Sequence, residues 1–394
     1  MEMSFFALPS KQGPVQGRFK PVHLPISLSI KVTACVRRFE TPTAVNYGRT
    51  ESKRDISMLT SIVRFLGALR WVYSQGVRII LMQLLIVIGL LVLSPYPPRA
   101  QDFRVGTWKT AQTIQPFYYQ KFMPSPQKVS VFSFTNPADQ KMALLAKSLD
   151  MCGTTLAHAI HSASRGEPVV LVASLCNKCS ALVVRKGGPV RNVTDLRGKK
   201  IGYVPGTMHE ILLRETLTRN GISPDKGVHL TRVDFFDMGM ALARGGIDAF
   251  LSGEPFPTLA QVQGYGRILC YPYYGESIGT INAGMLVRRE TIHLRPDLVY
   301  QLVLAHAHAT EYLKTHRDEW LKRASDFGTS LEVLRKASPN MELAWDMDAS
   351  FARRSRALGD RMQTLGVIEQ QPDYGNLFDL SFVTKVRARL GEQR

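Results

Sequence analysis

An α/β fold of two lobes is predicted by three features of the chain. Strand–helix units recur in two separate sets, polar capping residues mark where helices begin, and two extended segments cross between the sets. The first set occupies residues 101–187 and the second 191–275. Crossings are expected at about 183–190 and 278–287. Two lobes joined by two such crossings are what a hinge closing on a ligand requires.

Residues 191–254 carry the clearest pattern. IGYV, at 201–204, is a short apolar strand followed at once by Pro205-Gly206-Thr207. Thr207 stands three residues before Glu210, the spacing of a capping box at a helix start. Ile211, Leu212, Glu215 and Leu217 follow on that helix, and Asn220-Gly221 is a usual C-terminal stop. A strand that feeds a helix N-terminus through a glycine turn leaves backbone N–H groups aimed above the sheet. Ligands of open α/β sheets collect there, at the carboxyl ends of the strands.

In the first set, FRVGTW at 103–108 reads as a strand, QPFYYQKF as a helix, and KVSVFSF at 128–134 as a second strand. Asn136-Pro137 starts the next helix, with Asn as cap and Pro in the first turn. Met142, Leu145 and Leu149 mark its expected buried face. LDM at 149–151 is a short strand ending in Cys152-Gly153-Thr154-Thr155, where one of the two threonines caps a helix carrying Leu156, Ala159, Ile160 and Ala163 at helical spacing. PVVLVASL is a continuous apolar run, as in a buried parallel strand. SALVVRKG at 180–187 and AGMLVRRET at 283–291 are further strands. From Arg295 onward the pattern is mainly helical, and these helices most simply pack back on the first lobe.

The 394 residues are 45% apolar and 21% charged, ordinary for a globular chain, and the length allows two domains. Net charge is +18. Residues 1–80 hold 12 Lys/Arg against 4 Asp/Glu, so +8 of it sits there. With no basic run interleaved with aromatics and no zinc-finger or RNP motif, the charge reads as dispersed and no nucleic-acid partner is expected.

One strongly apolar run exists, IILMQLLIVIGLLVL at 79–93. Fifteen residues are short for a membrane span and right for a signal-peptide core. Arg64, Arg70 and Arg78 supply a basic flank, and Ala100 is the expected cleavage position, with an uncleaved anchor as the alternative. Residues 1–57 show no periodicity and read as an over-extended start or a tail without function, Met58 being the conventional start. The expected organisation is therefore an extension and n-region over 1–78, a signal core and cleavage region over 79–100, a first lobe from 101–187 and 284–394, and a second from 188–283.

Export would place Cys152, Cys176, Cys179 and Cys270 in an oxidising compartment. The C-x-x-C at 176–179 lacks the partner pair of a zinc site and the strand–turn–helix context of a redox motif. Structural or ligand-lining thiols, a disulfide, and metal or redox chemistry stay open for it. Cys152 and Cys176 each end a strand, and a single helical crossover joins those strands. They are expected to be neighbours, with both thiols at the mouth of the first lobe.

Turns that end strands supply the binding candidates: Trp108, Thr154, Thr155, Cys176 and Asn177 in the first lobe, and Thr207, His209 and Glu254 in the second. Hydroxyls, amides and helix N-termini suit an anionic or polar solute. Trp108 could stack a flat ring. His209 lies in a first helical turn, where a neutral hydrogen-bonding role is favoured over a charged one. Glu254 could accept from an amine or a ring N–H. His158 and His161, three apart on one helix, lack a third metal ligand nearby in sequence. No G-x-S-x-G, H-E-x-x-H, P-loop or dinucleotide glycine turn is present, so no catalytic residue, cofactor or metal is expected.

The ordered series LDMCGTTLAHAIHSASRGEPVVLVAS, SALVVRK, VTDLRGKKIGYVPGTMHEILLRETLTRNGI, IDAFLSGEP and GYGRIL resembles the exported substrate-binding proteins of ABC importers. It is most similar to the nitrate/sulfonate/taurine and thiamine-pyrimidine-precursor group, and the similarity covers about 101–390. What the resemblance implies is a type II periplasmic-binding-protein fold, with two mixed sheets joined by a two-strand hinge and a solute held between the lobes. An ABC permease and its ATPase are the implied partners, and the periplasm the implied location. LCNKC departs from the family, which usually shows small or polar residues there. Related folds also host enzymes, so an exported enzyme or an anchored sensory domain is the alternative.

Overall fold

The structure, a computed structural model, describes residues 61, 64–67, 77–86, 102–275 and 278–392. The chain divides into a unit up to Ser94 and a second from Pro95 onward. Of the first, residues 77–86 are helical and exposed. The rest of the expected signal core and Ala100 lie outside the described residues. Among the described residues no helix is long and apolar enough to cross a membrane.

Two mixed sheets form the second unit. The larger runs β11-β4-β10-β3-β1-β2, from β1 (Asp102–Trp108), β2 (Lys128–Phe134), β3 (Met151–Thr155), β4 (Val169–Lys178), β10 (Ala283–Arg288) and β11 (Met341–Leu343). The smaller runs β7-β6-β8-β5-β9, from β5 (Ser180–Arg185), β6 (Lys200–Tyr203), β7 (His229–Arg232), β8 (Ala249–Gly253) and β9 (Gly266–Cys270). In the first, β1 runs parallel to β2 and β3, while β10 is antiparallel to both β3 and β4. In the second, β6 is parallel to β7 and β8, and β5 is antiparallel to β8 and β9.

Local signals match the helix starts. Asn136, Thr155 and Thr207 accept, through their side chains, from the N–H groups of Ala138, His158 and Glu210. Glu210 completes its half of the Thr207 box one residue early, accepting from Gly206 N at 2.7 Å rather than from the cap itself. Gly221, at φ +65°, ends that helix in the left-handed conformation that glycine adopts without strain.

Several expectations are corrected. The sheets are crossed at Cys179 alone, between β4 and β5, rather than at 183–190; β5 belongs wholly to the second sheet. The return to the first sheet falls between Cys270, which ends β9, and Ala283, which begins β10, rather than at 278–287. β3 and β4 are not neighbours, because β10 inserts between them and satisfies an edge of each. Met142 is exposed; the helix Pro137–Leu145 buries Gln140, Lys141 and Leu144 instead. QPFYYQKF winds as a 3₁₀ helix. The C-terminal helix Ser381–Gly391 packs on β4, but Leu331–Ala337 lies against Phe256–Val262, beside the second sheet.

The centre of the larger core holds a polar stitch. Fully buried His306, on the helix Pro296–Thr315, faces Ser174 O at 2.7 Å through Nε2 and Tyr119 Oη at 2.8 Å through Nδ1. A carbonyl can only accept, so Nε2 carries the proton and Nδ1 accepts from the tyrosine. Burial holds the His306 pKa down at about 4. A depressed histidine stabilises the fold above its unfolded value near 6.5, and that stability is lost as pH falls toward 4. His306→Gln should remove roughly 3 kcal/mol from the stability lost between pH 7 and pH 4. Urea unfolding at both pH values checks this; an unchanged pH slope would show that His306 does not titrate with unfolding.

Candidate functional site

A cavity of about 490 Å³, counting space open to solvent, lies between the carboxyl ends of the two sets of parallel strands. From the larger sheet it is walled by Trp108 at the end of β1, Gln112 and Thr113 just beyond, Thr135 after β2, Thr155 ending β3 and Cys176 near the end of β4. From the smaller it is walled by His209 after β6, Phe235 and Phe236 after β7, Ser252 and Gly253 of β8, and Phe256 beyond. Cys179 and Asn282 lie at the crossings between. This is where an open α/β sheet places its ligand.

Four of the expected residues, Trp108, Thr155, Cys176 and His209, meet here; Thr154, Asn177, Thr207 and Glu254 stand outside. Strand alternation accounts for two of these. Thr155 and Cys176 face the cavity, so their neighbours Thr154 and Asn177 face away. Asn177 donates instead to Glu342 Oε1 at 3.0 Å. Thr207 is spent on its cap, donating to Val204 O at 2.8 Å while accepting from Glu210 N. Cys152 is also not at the mouth. It is wholly buried within β3, opposite Leu286 of the inserted β10.

Glu254 sits behind the wall, fully buried. Its carboxylate accepts from Thr258 N at 3.1 Å and from Asn340 Nδ2 at 3.3 Å. Burial pushes its pKa up to about 7, against hydrogen bonds from Thr258 and Asn340 that pull the other way. His209 is held by Ser180 Oγ, 3.0 Å from Nδ1, and its ring meets Phe235 edge-on at 5.2 Å between centroids. Burial lowers its pKa to about 4, so the imidazole is neutral at pH 7. Gly253 lets it approach: a Cβ there would stand 3.1 Å from His209 Cε1 and Nε2.

Gln112, Phe235, Phe236, Ser252 and Phe256 are wall residues that sequence reasoning missed. The phenylalanines follow β7 and β8, so the rule that located Thr155 would have located them; nothing local marks Gln112. None of the wall residues is Asp, Glu, Lys or Arg. Three of them bring a buried polar atom with no hydrogen-bond partner among the described residues: Trp108 Nε1, Gln112 Oε1 and Ser252 Oγ. Such orphans are uncommon in folded proteins and cost about 1–3 kcal/mol each unless something pairs them. A donor, an acceptor and a hydroxyl thus belong to residues that share one wall with the side chains of Trp108, Phe235, Phe236 and Phe256.

His158 and His161 border a separate recess with Asn136, Pro205, Gly206 and Arg232. Among the described residues no group of three His, Cys, Asp or Glu could hold a metal ion.

For Glu254 the pH dependence has the opposite sign to that of histidine. An acid whose folded pKa is raised binds its proton more tightly when folded, so its ionisation costs stability as pH rises from about 4.5 to about 7. Glu254→Gln should therefore gain on the unaltered protein between pH 5 and pH 8 in urea unfolding. A constant difference across that range would mean that Glu254 ionises as freely in the fold as outside it.

Comparison with known proteins follows the same geometry. Residues 128–320 match the family model described as NMT1/THI5 like. The chain is 32% identical over 98 residues to the 4-amino-5-hydroxymethyl-2-methylpyrimidine phosphate synthase of Schizosaccharomyces pombe, covering 25% of this chain and 28% of that protein. It thus spans less than a third of that relative's length. The fold is shared with the alkanesulfonate-binding protein of Xanthomonas axonopodis pv. citri bound to MOPS, at a TM-score of 0.64 and 18% identity over 71% of this chain and 98% of that one. It is shared too with the periplasmic nitrate-binding protein of Synechocystis, at a TM-score of 0.61 and 14% identity over 74% and 90%. The fold is that of the periplasmic solute-binding proteins, and the chain carries an NMT1/THI5-like domain.

Proposed function

We propose that the protein captures a small polar organic solute between its two sheets and delivers it to the permease and ATPase of an ABC importer, working in the periplasm after export through the 79–93 segment. The observation that carries this reading is the cavity wall: seven strand ends from two sheets, with three wall residues that each carry a buried, unpaired polar atom.

The same wall separates the solutes that the relatives' names suggest. An anion such as a sulfonate or nitrate loses its hydration on entering, at a cost of several kcal/mol. No cationic side chain of the wall offsets that, and a capped helix end contributes only about 0.3–1 kcal/mol, at most about 2. An uncharged flat ring has no such deficit. It can lie against Trp108, Phe235, Phe236 and Phe256 while a ring nitrogen accepts from Trp108 and an amino group donates to Gln112. Neutral His209 adds a further hydrogen-bonding nitrogen. The pyrimidine-like class therefore fits better than the anions.

A second reading, an enzyme of the same fold, draws on the pyrimidine phosphate synthase among the relatives and on the Ser180–His209 pair at the wall. Ser180 is itself fully buried outside the cavity, which favours its role as a support for His209.

A thermal-shift comparison of pyrimidines, sulfonates, taurine, bicarbonate and nitrate separates the classes. A ligand at about 100 times its Kd stabilises by about 2.7 kcal/mol. Aminopyrimidines should raise the Tm. A rise with sulfonate or nitrate and none with pyrimidines would contradict the assignment, and release of a new product would establish the enzyme.

Substitutions test the placement of the site. His209→Ala should weaken binding about three- to tenfold, the worth of one neutral hydrogen bond. Thr207→Ala should lose about 1 kcal/mol of stability with the cap yet leave affinity unchanged, because its hydroxyl faces Val204. Titration calorimetry on both variants checks the pair; the reverse pattern would move the site toward Thr207.

A further inference from the structure

The motif Cys176-Asn177-Lys178-Cys179 is used by the solute reading only as wall, yet it lies at the point where the chain passes from one sheet to the other. Both thiols are free and buried, and both cysteines line the cavity. Asn282 touches both residues: its N–H donates to Cys176 O at 3.3 Å, and its Nδ2 stands 3.2 Å from Cys179 Sγ. Lys178 and Cys179 hold φ at +55° and +73°, consecutive non-glycine residues in the left-handed region. Residues held this way persist only where the surroundings over-determine them, and they cluster at functional sites. Here the backbone is fixed by Cys179 N donating to Asn340 O at 2.8 Å and by Glu254 N donating to Cys179 O at 2.7 Å.

We propose that Cys176 and Cys179 form a redox modification site: a dithiol that a small-molecule disulfide converts to an intramolecular disulfide across the crossing between the sheets. One thiolate attacks a sulfur of the external disulfide and expels one thiolate leaving group, giving a mixed disulfide. The second cysteine then attacks the protein sulfur of that mixed disulfide and expels the other leaving group. Two protein protons pass to the two released thiols, so the dithiol is oxidised by two electrons and the external disulfide reduced to two thiols. The product ties the end of β4 to the first residue past it and removes both thiols from the cavity wall, altering the wall and the hinge together.

Among the described residues the other cysteines do not compete. Cys152 is enclosed within β3, with β10 between it and Cys176, and Cys270 lies on β9 outside the cavity. The neighbouring Cys176, together with burial, pushes the Cys179 thiol well above its ordinary range, so exchange requires an oxidant that reaches the thiols through the cavity. This site stands independently of which solute the cavity takes.

The test uses the whole protein, reduced, freed of reductant and incubated with oxidised glutathione. It is then blocked under denaturing conditions and digested with trypsin without reduction. Cleavage after Lys178 puts the two cysteines on separate peptides, 166–178 and 179–185, which stay joined only through a disulfide. The expected result is the joined pair, two hydrogens lighter and free of glutathione, in Cys270→Ser as in the unaltered protein. Cys176→Ser should give instead a glutathione adduct on 179–185. Separate blocked peptides, separate peptides each carrying glutathione, or either cysteine joined to Cys270 would overturn the proposal. The mapping of the unaltered protein decides the matter even if the serine variant fails to fold.

Discussion

The passage from one sheet to the other at a single residue is the constraint on which the rest of the structure depends. Cys179 has β4 on one side and β5 on the other, with no linker to absorb misalignment. A short polar network holds the joint. Asn340 accepts from Cys179 N through its carbonyl, and its side chain reaches Glu254. Asn282 donates to Lys178 O at 2.6 Å. Tyr273 Oη accepts from Ser180 N at 2.9 Å, and Ser180 Oγ in turn fixes His209. Both sheets thus aim their carboxyl ends at one space, and the side chains that set the joint also support the wall.

That arrangement explains why the wall is both polar and uncharged. Glu254, outside the wall, turns its carboxyl group to Thr258 N and to Asn340 of the joint, and burial raises its pKa. His209 could carry charge but is buried to neutrality. Hydrogen-bonding capacity without charge suits a solute recognised by shape and by donor and acceptor pattern, and it makes each unpaired atom costly until a partner arrives.

Much of this was legible in the sequence where the physics is local. Asn136, Thr155 and Thr207 announced their helices because capping is a contact between near neighbours. Strands such as β4, β5, β8 and β10 were legible from their apolar runs, whereas β3 lies at Met151–Thr155 rather than 149–151; Trp108, Thr155, Cys176 and His209 followed from the rule that strand ends meet the ligand. What was hidden required knowledge of distant pairing. Nothing near residues 283–288 says that this strand inserts between β3 and β4, and that insertion moved Cys152 away from Cys176. Asn177 and Thr154 were misplaced because the side of a strand that faces the cavity depends on its register, and shifting by one residue exchanges the two faces. The Gln112 side chain reaches the cavity by a path that no local pattern records.

The central claim is that the unpaired groups of the wall are completed by an uncharged solute, and the indole of Trp108 reports on it most directly. Trp320 Nε1 donates to Ala111 O and Trp345 Nε1 to Glu311, whereas Trp108 Nε1 has no partner among the described residues. In a ¹⁵N-resolved NMR titration, the indole N–H signal removed by Trp108→Phe should move downfield and saturate with an aminopyrimidine, while those of Trp320 and Trp345 stay in place. A Trp108 signal unmoved by pyrimidines but shifted to saturation by a sulfonate or nitrate would contradict the account.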